Sequence, residues 1–277
     1  MLRPGLLLGV EDLAQLDGRD AVVVDTRLAL TGATGYARYD AGHIPGAAYL
    51  DVDDDLAAPP GVGGRHPLPD PETFVAAVRR AGVSRGSRVV AYDDGPGTAA
   101  ARLWWLLRDY GHDDVLVLDG GLAAWTAAGF PVSTERVDPP PGDWVGVPGR
   151  LPVVDADDLP ELARHGLLLD VRAPERFRGE HEPIDPVAGH VPDAVSAPLA
   201  ENTDATSRLL SPDALRAHFL ALGVRDDLPV AAYCGSGVTA TQALLALRLA
   251  GFPDAALYPG SWSHWITDPT RPVAIGD

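Results

Sequence analysis

The feature that most restricts how this chain can fold is that it carries one order of motifs twice. In the first half AVVVDTR ends at Arg27, AGHIPGA spans Ala41 to Ala47, RVVAYDD ends at Asp94 and LVLDGGLAAW ends at Trp125. In the second half LLLDVR ends at Arg172, AGHVPDA spans Ala188 to Ala194, PVAAYC ends at Cys234 and ALYPGSWSHW ends at Trp265. Matching positions lie 140 to 147 residues apart. A nearly constant spacing of whole motifs means duplication, so each half must carry its own fold. Between them VDPPPGDWVGVPG, from Val137 to Gly149, is too rich in Pro and Gly to continue a helix or a central strand. The expected division is residues 1–136 as a first domain, 137–149 as linker and 150–277 as a second domain.

Within each half, short apolar β-branched runs alternate with helical patterns such as PETFVAAVRRAG and SPDALRAHFLALG, the latter opening with Ser211 as a cap and Pro212 in the first turn. This alternation predicts an α/β fold in which each half is a parallel sheet with helices on both faces. Ligands of such sheets bind beyond the carboxyl ends of the strands, where Asp93 and Cys234 fall.

Charge and cysteine content narrow the chemistry. The chain has no lysine, so its 22 cationic side chains are all arginines, against 39 carboxylates and a net charge of −17. Such a surface argues against nucleic acid and anionic membranes as partners, and any site for a small anion must be built locally from arginines and backbone N–H groups. A single cysteine excludes a disulfide framework and suits the reducing cytoplasm, which is the expected location. No apolar run approaches the roughly 18–20 residues that span a bilayer. Leu6 to Val10 is too short for a signal core and is followed by Glu11 and Asp12, so no targeting segment is read. The eight histidines show no metal-ligand spacing, and neither a metal nor a cofactor is expected.

The informative segment is PVAAYCGSGVTATQALLALRLAG, a buried strand, then Cys234, a Gly-rich turn, and a helix from about Val238. Gly235 and Gly237 permit backbone conformations in which successive N–H groups point inward, and the helix start adds positive potential, so a thiolate or another anion is stabilised there. Three chemistries could use such a loop. A cysteine phosphatase needs an arginine after five intervening residues, but that position is Ala240. A dinucleotide site could be read from Gly235, Gly237 and Ala240 with Asp254 as ribose partner, yet the loop closes a late strand and does not open a first βαβ unit. A thiolate that accepts sulfur and holds it as a persulfide uses every feature present.

These segments together, DTR with GHIPGA, DVR with ERFRGE and GHVPDA, then YCGSGVTA and GSWSHW, resemble the tandem-domain rhodanese family of sulfurtransferases over nearly the whole chain, and the CGSGVTA loop is most similar to its 3-mercaptopyruvate branch. The resemblance implies two rhodanese-like domains with one active site, made by the second domain and walled by the first, which has Asp93 in place of the cysteine. It implies that Cys234 is the nucleophile and that Ser236, His66 and Asp53 form a proton relay. Donor contacts would come from Gly235, Gly237, Val238 and Thr239. Arg176, in ERFRGE, matches an arginine that recognises the substrate carboxylate. The family often has a second arginine nine residues later, where this chain has Asp185; Arg178 and, preferably, Arg102 are the candidates to replace it. The implied partners are a small anionic sulfur donor, 3-mercaptopyruvate or thiosulfate, and a thiol acceptor such as thioredoxin or a small thiol, with cyanide as acceptor in the thiosulfate reaction. Neutral Gly235 and Ser236 after the cysteine favour mercaptopyruvate. A noncatalytic sulfur carrier or regulatory binding module is the alternative of a different class.

Other prominent residues read as structural. His43 and His190 stand in G-H-[IV]-P motifs kept in both halves; Asp25 with Arg27, and Asp170 with Arg172, read as strand-end pairs; Trp104, Trp105, Trp125 and Trp265 read as packing.

Overall fold

A computed structural model describes residues 5–16, 21–29 and 32–277. The chain divides into two compact units, the first made of Met1–Ala58, Leu68–Arg150 and Ala205–Leu209, the second of Pro59–Pro67, Leu151–Asp204 and Leu210–Asp277. The units are thus not unbroken stretches of sequence. The short segment Pro59–Pro67 packs with the second unit although its neighbours on both sides belong to the first.

The first unit contains, in order, β1 (Leu7–Leu8), α1 (Val10–Gln15), β2 (Val22–Asp25), α2 (Gly35–Ala41), β3 (Ala48–Tyr49), α3 (Pro71–Arg80), β4 (Val89–Tyr92), α4 (Thr98–Asp109), β5 (Val115–Leu118) and α5 (Gly121–Ala127). Its strands pair in parallel in the order β1-β5-β4-β2-β3. All four residues of the central β4 are buried, which is why this stretch reads as an unbroken apolar run and not as an alternation. Helix α3 starts where Asp70 accepts hydrogen bonds from the N–H groups of Glu72 and Thr73. Residues 137–149 form neither helix nor strand. They are no loose tether, because Gly142 N donates to Arg79 O at 2.8 Å and Trp144, 3% exposed, packs edge-on against Phe74 at 6.0 Å.

The second unit contains α6 (Leu159–His165), β6 (Leu167–Asp170), α7 (Pro174–Phe177), β7 (Val195–Ser196), a 3-10 turn (Leu199–Asn202), α8 (Pro212–Ala221), β8 (Val230–Tyr233), α9 (Ala240–Leu249), β9 (Ala256–Leu257) and α10 (Ser261–Trp265). The parallel order is β7-β6-β8-β9, and a single parallel bridge between Val153 and Leu257 stands where β1 pairs β5 in the first unit. Both halves therefore have the same topology, as the duplicated motifs predict. Ser211 caps α8 by accepting from Ala214 N at 3.3 Å, with Pro212 in the first turn.

The paired motifs do the same work twice. Arg27 closes on Asp25 with Nε at 3.1 and 3.0 Å from its two oxygens, and Arg172 closes on Asp170 at 3.0 and 3.1 Å. His43 stacks on Tyr39 at 3.9 Å and His190 on Phe177 at 3.7 Å, each Nδ1 bonding the backbone carbonyl of its stacking partner. Trp104, Trp105, Trp125 and Trp265 are buried. The two Asp–Arg pairs brace the ends of β2 and β6. Among the described residues, no helix is long and apolar enough to cross a membrane.

Candidate active site

Cys234 follows the last residue of β8, and the sheet ends there because Gly235, Ser236 and Gly237 turn the chain toward α9. Gly237 lies at φ +81°, and a Cβ on it would stand 2.1 Å from Pro259 O, so only glycine fits. That conformation aims Gly237 N–H at Cys234 Sγ, 3.1 Å away. Cys234 is 1% exposed and its backbone is held on both sides. Its N–H donates to Ser261 Oγ at 3.1 Å, and its carbonyl accepts from Trp262 N at 3.0 Å. Ser261 itself sits at φ +54°, an unusual conformation for a residue with a side chain, and its hydroxyl donates a hydrogen bond to Tyr258 O at 3.0 Å. Nothing in the sequence pattern marked Ser261 as the support of the cysteine.

Helix α9 begins at Ala240, two residues later than the sequence suggests, because Val238 and Thr239 belong to the turn: Thr241 N and Gln242 N bond back to Val238 O and Thr239 O in tight three-residue steps. The N–H groups of Ser236, Val238, Thr239 and Ala240 have no partner among the described residues. The first unit shows what such a loop accommodates. There Asp93 turns its carboxylate into the equivalent loop, Oδ1 accepting from Gly95 N and Gly97 N at 3.0 Å each and Oδ2 from Ala99 N at 2.9 Å and Ala100 N at 3.3 Å. An anion of the chain's own fills that cradle. In the second unit the head of the loop is a thiol, and the matching donors of Ser236, Val238 and Ala240 remain open to a ligand among the described residues.

Ser236 Oγ and His66 Nδ1 are 2.7 Å apart, although 170 residues separate them in the chain. His66 is brought there by the segment Pro59–Pro67, and it is 8% exposed. Asp53 lies in the first unit, exposed on a turn in which its N–H donates to Asp51 Oδ1 at 2.8 Å. The serine and histidine of the expected relay are thus in contact.

Arg176 leaves the short α7 and is 13% exposed. Glu182 grips it through Nε at 3.0 and 2.9 Å, and Asp185 Oδ2 accepts from Nη2 at 2.9 Å. Burial works against the Glu182 carboxylate, but hydrogen bonds from Arg176 and from the N–H groups of Asp185 and Ile184 outweigh it and hold its pKa below the ordinary value. Asp185 also binds the guanidinium of Arg65. Both arginines come close to the cysteine loop: a Cβ on Gly235 would meet Arg65 Nη2 at 2.9 Å and Arg176 Nη2 and Nη1 at 3.5 and 3.6 Å. Of the arginines expected from the sequence as a second cation, Arg178 lies in the second unit but not among the nearest neighbours of Gly235, and Arg102 lies in the first unit. Arg178 is paired with Glu180 at 2.8 Å on a partly exposed side, and Arg102 is fully buried in the first unit, where Nε donates to Leu56 O at 3.2 Å. Arg65 was missed because its partner, Asp185, is 120 residues away. Among the described residues, no three His, Cys, Asp or Glu side chains are placed to hold one metal ion.

The chain is similar to known proteins. The chain is 50% identical over 279 residues to a probable 3-mercaptopyruvate sulfurtransferase of Pseudomonas aeruginosa, with 98% of each covered. It is 39% identical over 284 residues to a Mycobacterium tuberculosis protein provisionally described as a thiosulfate sulfurtransferase, covering 98% of this chain and 97% of that one. Among solved structures, that of SseA from Escherichia coli, a 3-mercaptopyruvate sulfotransferase with the rhodanese fold, superposes with a TM-score of 0.82 at 33% identity, over 94% of this chain and 99% of that one. The family model for the rhodanese-like domain matches twice, at residues 10–128 and 155–268, once for each copy of the repeat. The chain therefore belongs to the rhodanese family and carries two rhodanese-like domains in tandem.

Proposed function

We propose that this protein is a sulfurtransferase that takes sulfur from 3-mercaptopyruvate onto Cys234 and passes it to a thiol. One observation carries the reading: the only thiol of the chain heads a loop in which Gly237 N–H meets its sulfur at 3.1 Å and the N–H groups of Ser236, Val238, Thr239 and Ala240 have no partner among the described residues. The Cys234 thiolate attacks the donor sulfur, the S–C bond breaks, and its electron pair leaves with carbon as the pyruvate enolate. The enzyme then holds Cys–S–SH, with the terminal sulfur in the cradle that a carboxylate fills in the first unit. Ser236, hydrogen-bonded to His66, is placed to deliver the proton that turns the enolate into pyruvate. Asp53 is the third member of this relay. Arg176 offers its planar fork to the donor carboxylate. A thiolate acceptor, such as that of thioredoxin or a small thiol, then attacks the terminal sulfur and releases Cys234 as thiolate. The reducing cytoplasm suits that exchange.

Thiosulfate is the second donor to consider, since the Mycobacterium tuberculosis relative is described by it. Two measurements test the proposal. After donor treatment, intact mass should rise by one sulfur atom in the wild type and not in Cys234→Ser; the adduct appearing in the variant would refute the persulfide. Steady-state kinetics should give a higher kcat/KM for mercaptopyruvate than for thiosulfate, and the reverse order would reassign the donor. Absence of turnover with any free acceptor would leave a sulfur carrier in place of an enzyme.

A further inference from the structure

We propose that Arg65 is a donor-binding residue, and that Arg65 and Arg176 form a two-guanidinium clamp for the carboxylate of the 2-oxo acid, set by the buried Asp185 that they share. The inference deepens the function proposed above and rests on it.

Arg65 is tied to the cysteine loop at its backbone. Its N–H donates to Ser263 Oγ at 3.0 Å, and Ser263 N donates in turn to Gly235 O at 2.9 Å. Its guanidinium then reaches both oxygens of Asp185, which is 2% exposed and receives Arg176 on Oδ2. A buried carboxylate between two arginines fixes the spacing of both forks. The result is a pair of planar cations beside the α-carbon of Gly235, the residue next to the nucleophile. Donors remain for a ligand. Arg65 uses Nη1 and Nη2 on Asp185 and keeps Nε; Arg176 uses Nε and Nη2 on Glu182 and Asp185 and keeps Nη1, which lies 3.6 Å from the Cβ position of Gly235. At 30% side-chain exposure Arg65 is accessible, whereas Arg172, at 1%, is locked to Asp170 and Glu182.

The charge balance bears on which anion fits. Arg65 and Arg176 face Asp185 and Glu182, so the four side chains together are neutral. Such a cluster offers directed hydrogen bonds with little net positive charge, which suits a planar monoanionic carboxylate better than a compact dianion. Asp185 thereby acts as a positioning residue: it neutralises one cation while aiming both.

The test compares 3-mercaptopyruvate with 1-mercaptopropan-2-one, which keeps the thiol and the ketone and has a methyl group in place of the carboxylate. In Arg65→Ala the ratio of kcat/KM for the two donors should fall at least about tenfold, through KM for mercaptopyruvate and not through kcat. Arg65→Lys, which keeps the charge but not the fork, should recover only part of that ratio. Because Arg65→Ala leaves Asp185 with one partner, the double variant R65Q/D185N removes the buried charge together with the cation, and it should show the same donor-specific loss with a normal melting temperature. An unchanged ratio in folded Arg65→Ala or R65Q/D185N would overturn the clamp while leaving the sulfurtransferase reading intact. Failure of the wild type to use mercaptopyruvate would overturn both.

Discussion

Replacing Gly237 with alanine separates backbone strain from steric exclusion at the point where the loop meets Cys234. Two costs are expected. The first is conformational: at φ +81° an alanine gives up roughly 1–2 kcal/mol relative to glycine. The second is contact, since the new Cβ would lie 2.1 Å from Pro259 O where real Cβ atoms keep at least 3.0 Å, so a shift of about 0.9 Å must be found in backbone on one side or the other. Overpacking of this kind adds about 1–3 kcal/mol. Gly223→Ala serves as the comparison. Gly223 is also at positive φ, +96°, but has nothing within 4 Å of its Cβ position, so it carries the first cost alone. Urea denaturation should therefore place Gly223→Ala about 1–2 kcal/mol below the wild type and Gly237→Ala lower by a further 1 kcal/mol or more. Activity should separate them more widely. A displacement near 1 Å of the N–H that meets Cys234 Sγ is expected to reduce kcat/KM by about a hundredfold, whereas Gly223→Ala keeps wild-type kinetics. Equal destabilisation of the two variants, or wild-type turnover in Gly237→Ala, would refute the claim that the loop's shape is set by the exclusion of a side chain there.

Two further outcomes follow from the same geometry. His66→Ala removes the partner 2.7 Å from Ser236 Oγ, and kcat with mercaptopyruvate should fall about a hundredfold or more, with a much smaller change for thiosulfate, whose leaving sulfite needs no proton on carbon; equal losses with both donors would remove the histidine from proton delivery. Glu182 has a folded pKa below its ordinary 4.5, so its carboxylate stabilises the fold fully above that value, and the contribution is lost as pH falls through the lower folded value. The melting temperature of the wild type should exceed that of Glu182→Gln at neutral pH, and the difference should shrink on acidification below 4.5; a gap that stays constant would show that the Arg176 contact is indifferent to charge.

Much of this protein is legible in the chain itself because the interactions concerned are local or repeated. Asp25 and Arg27 are two residues apart, as are Asp170 and Arg172, and Ser211 caps a helix that begins at the next residue. The buried strands β4 and β8 announce themselves as uninterrupted apolar runs. Cys234, Gly235 and Gly237 lie in one short segment, so their joint chemistry could be argued before any coordinate. The later start of α9 was not legible, because three-residue and four-residue winding use the same residue types and differ only in which carbonyl each N–H reaches.

What the tertiary structure alone decided are the meetings of residues far apart in the chain. His66 against Ser236 spans 170 residues, and Arg65 against Asp185 spans 120. Both depend on Pro59–Pro67 leaving the unit of its sequence neighbours, which no pattern of hydrophobicity or turn residues in that segment foretells. Read locally, Asp185 looked like the loss of a cation, because a carboxylate stands where an arginine was expected. In the folded chain it draws Arg65 to the site, since a buried carboxylate is stable only when cations and hydrogen-bond donors surround it. Sequence determined the duplicated fold and the cysteine loop, whose causes act over a few residues; the path of the chain through space decided which charges accompany that loop, because electrostatic pairing depends on distance in space and takes no account of distance along the chain.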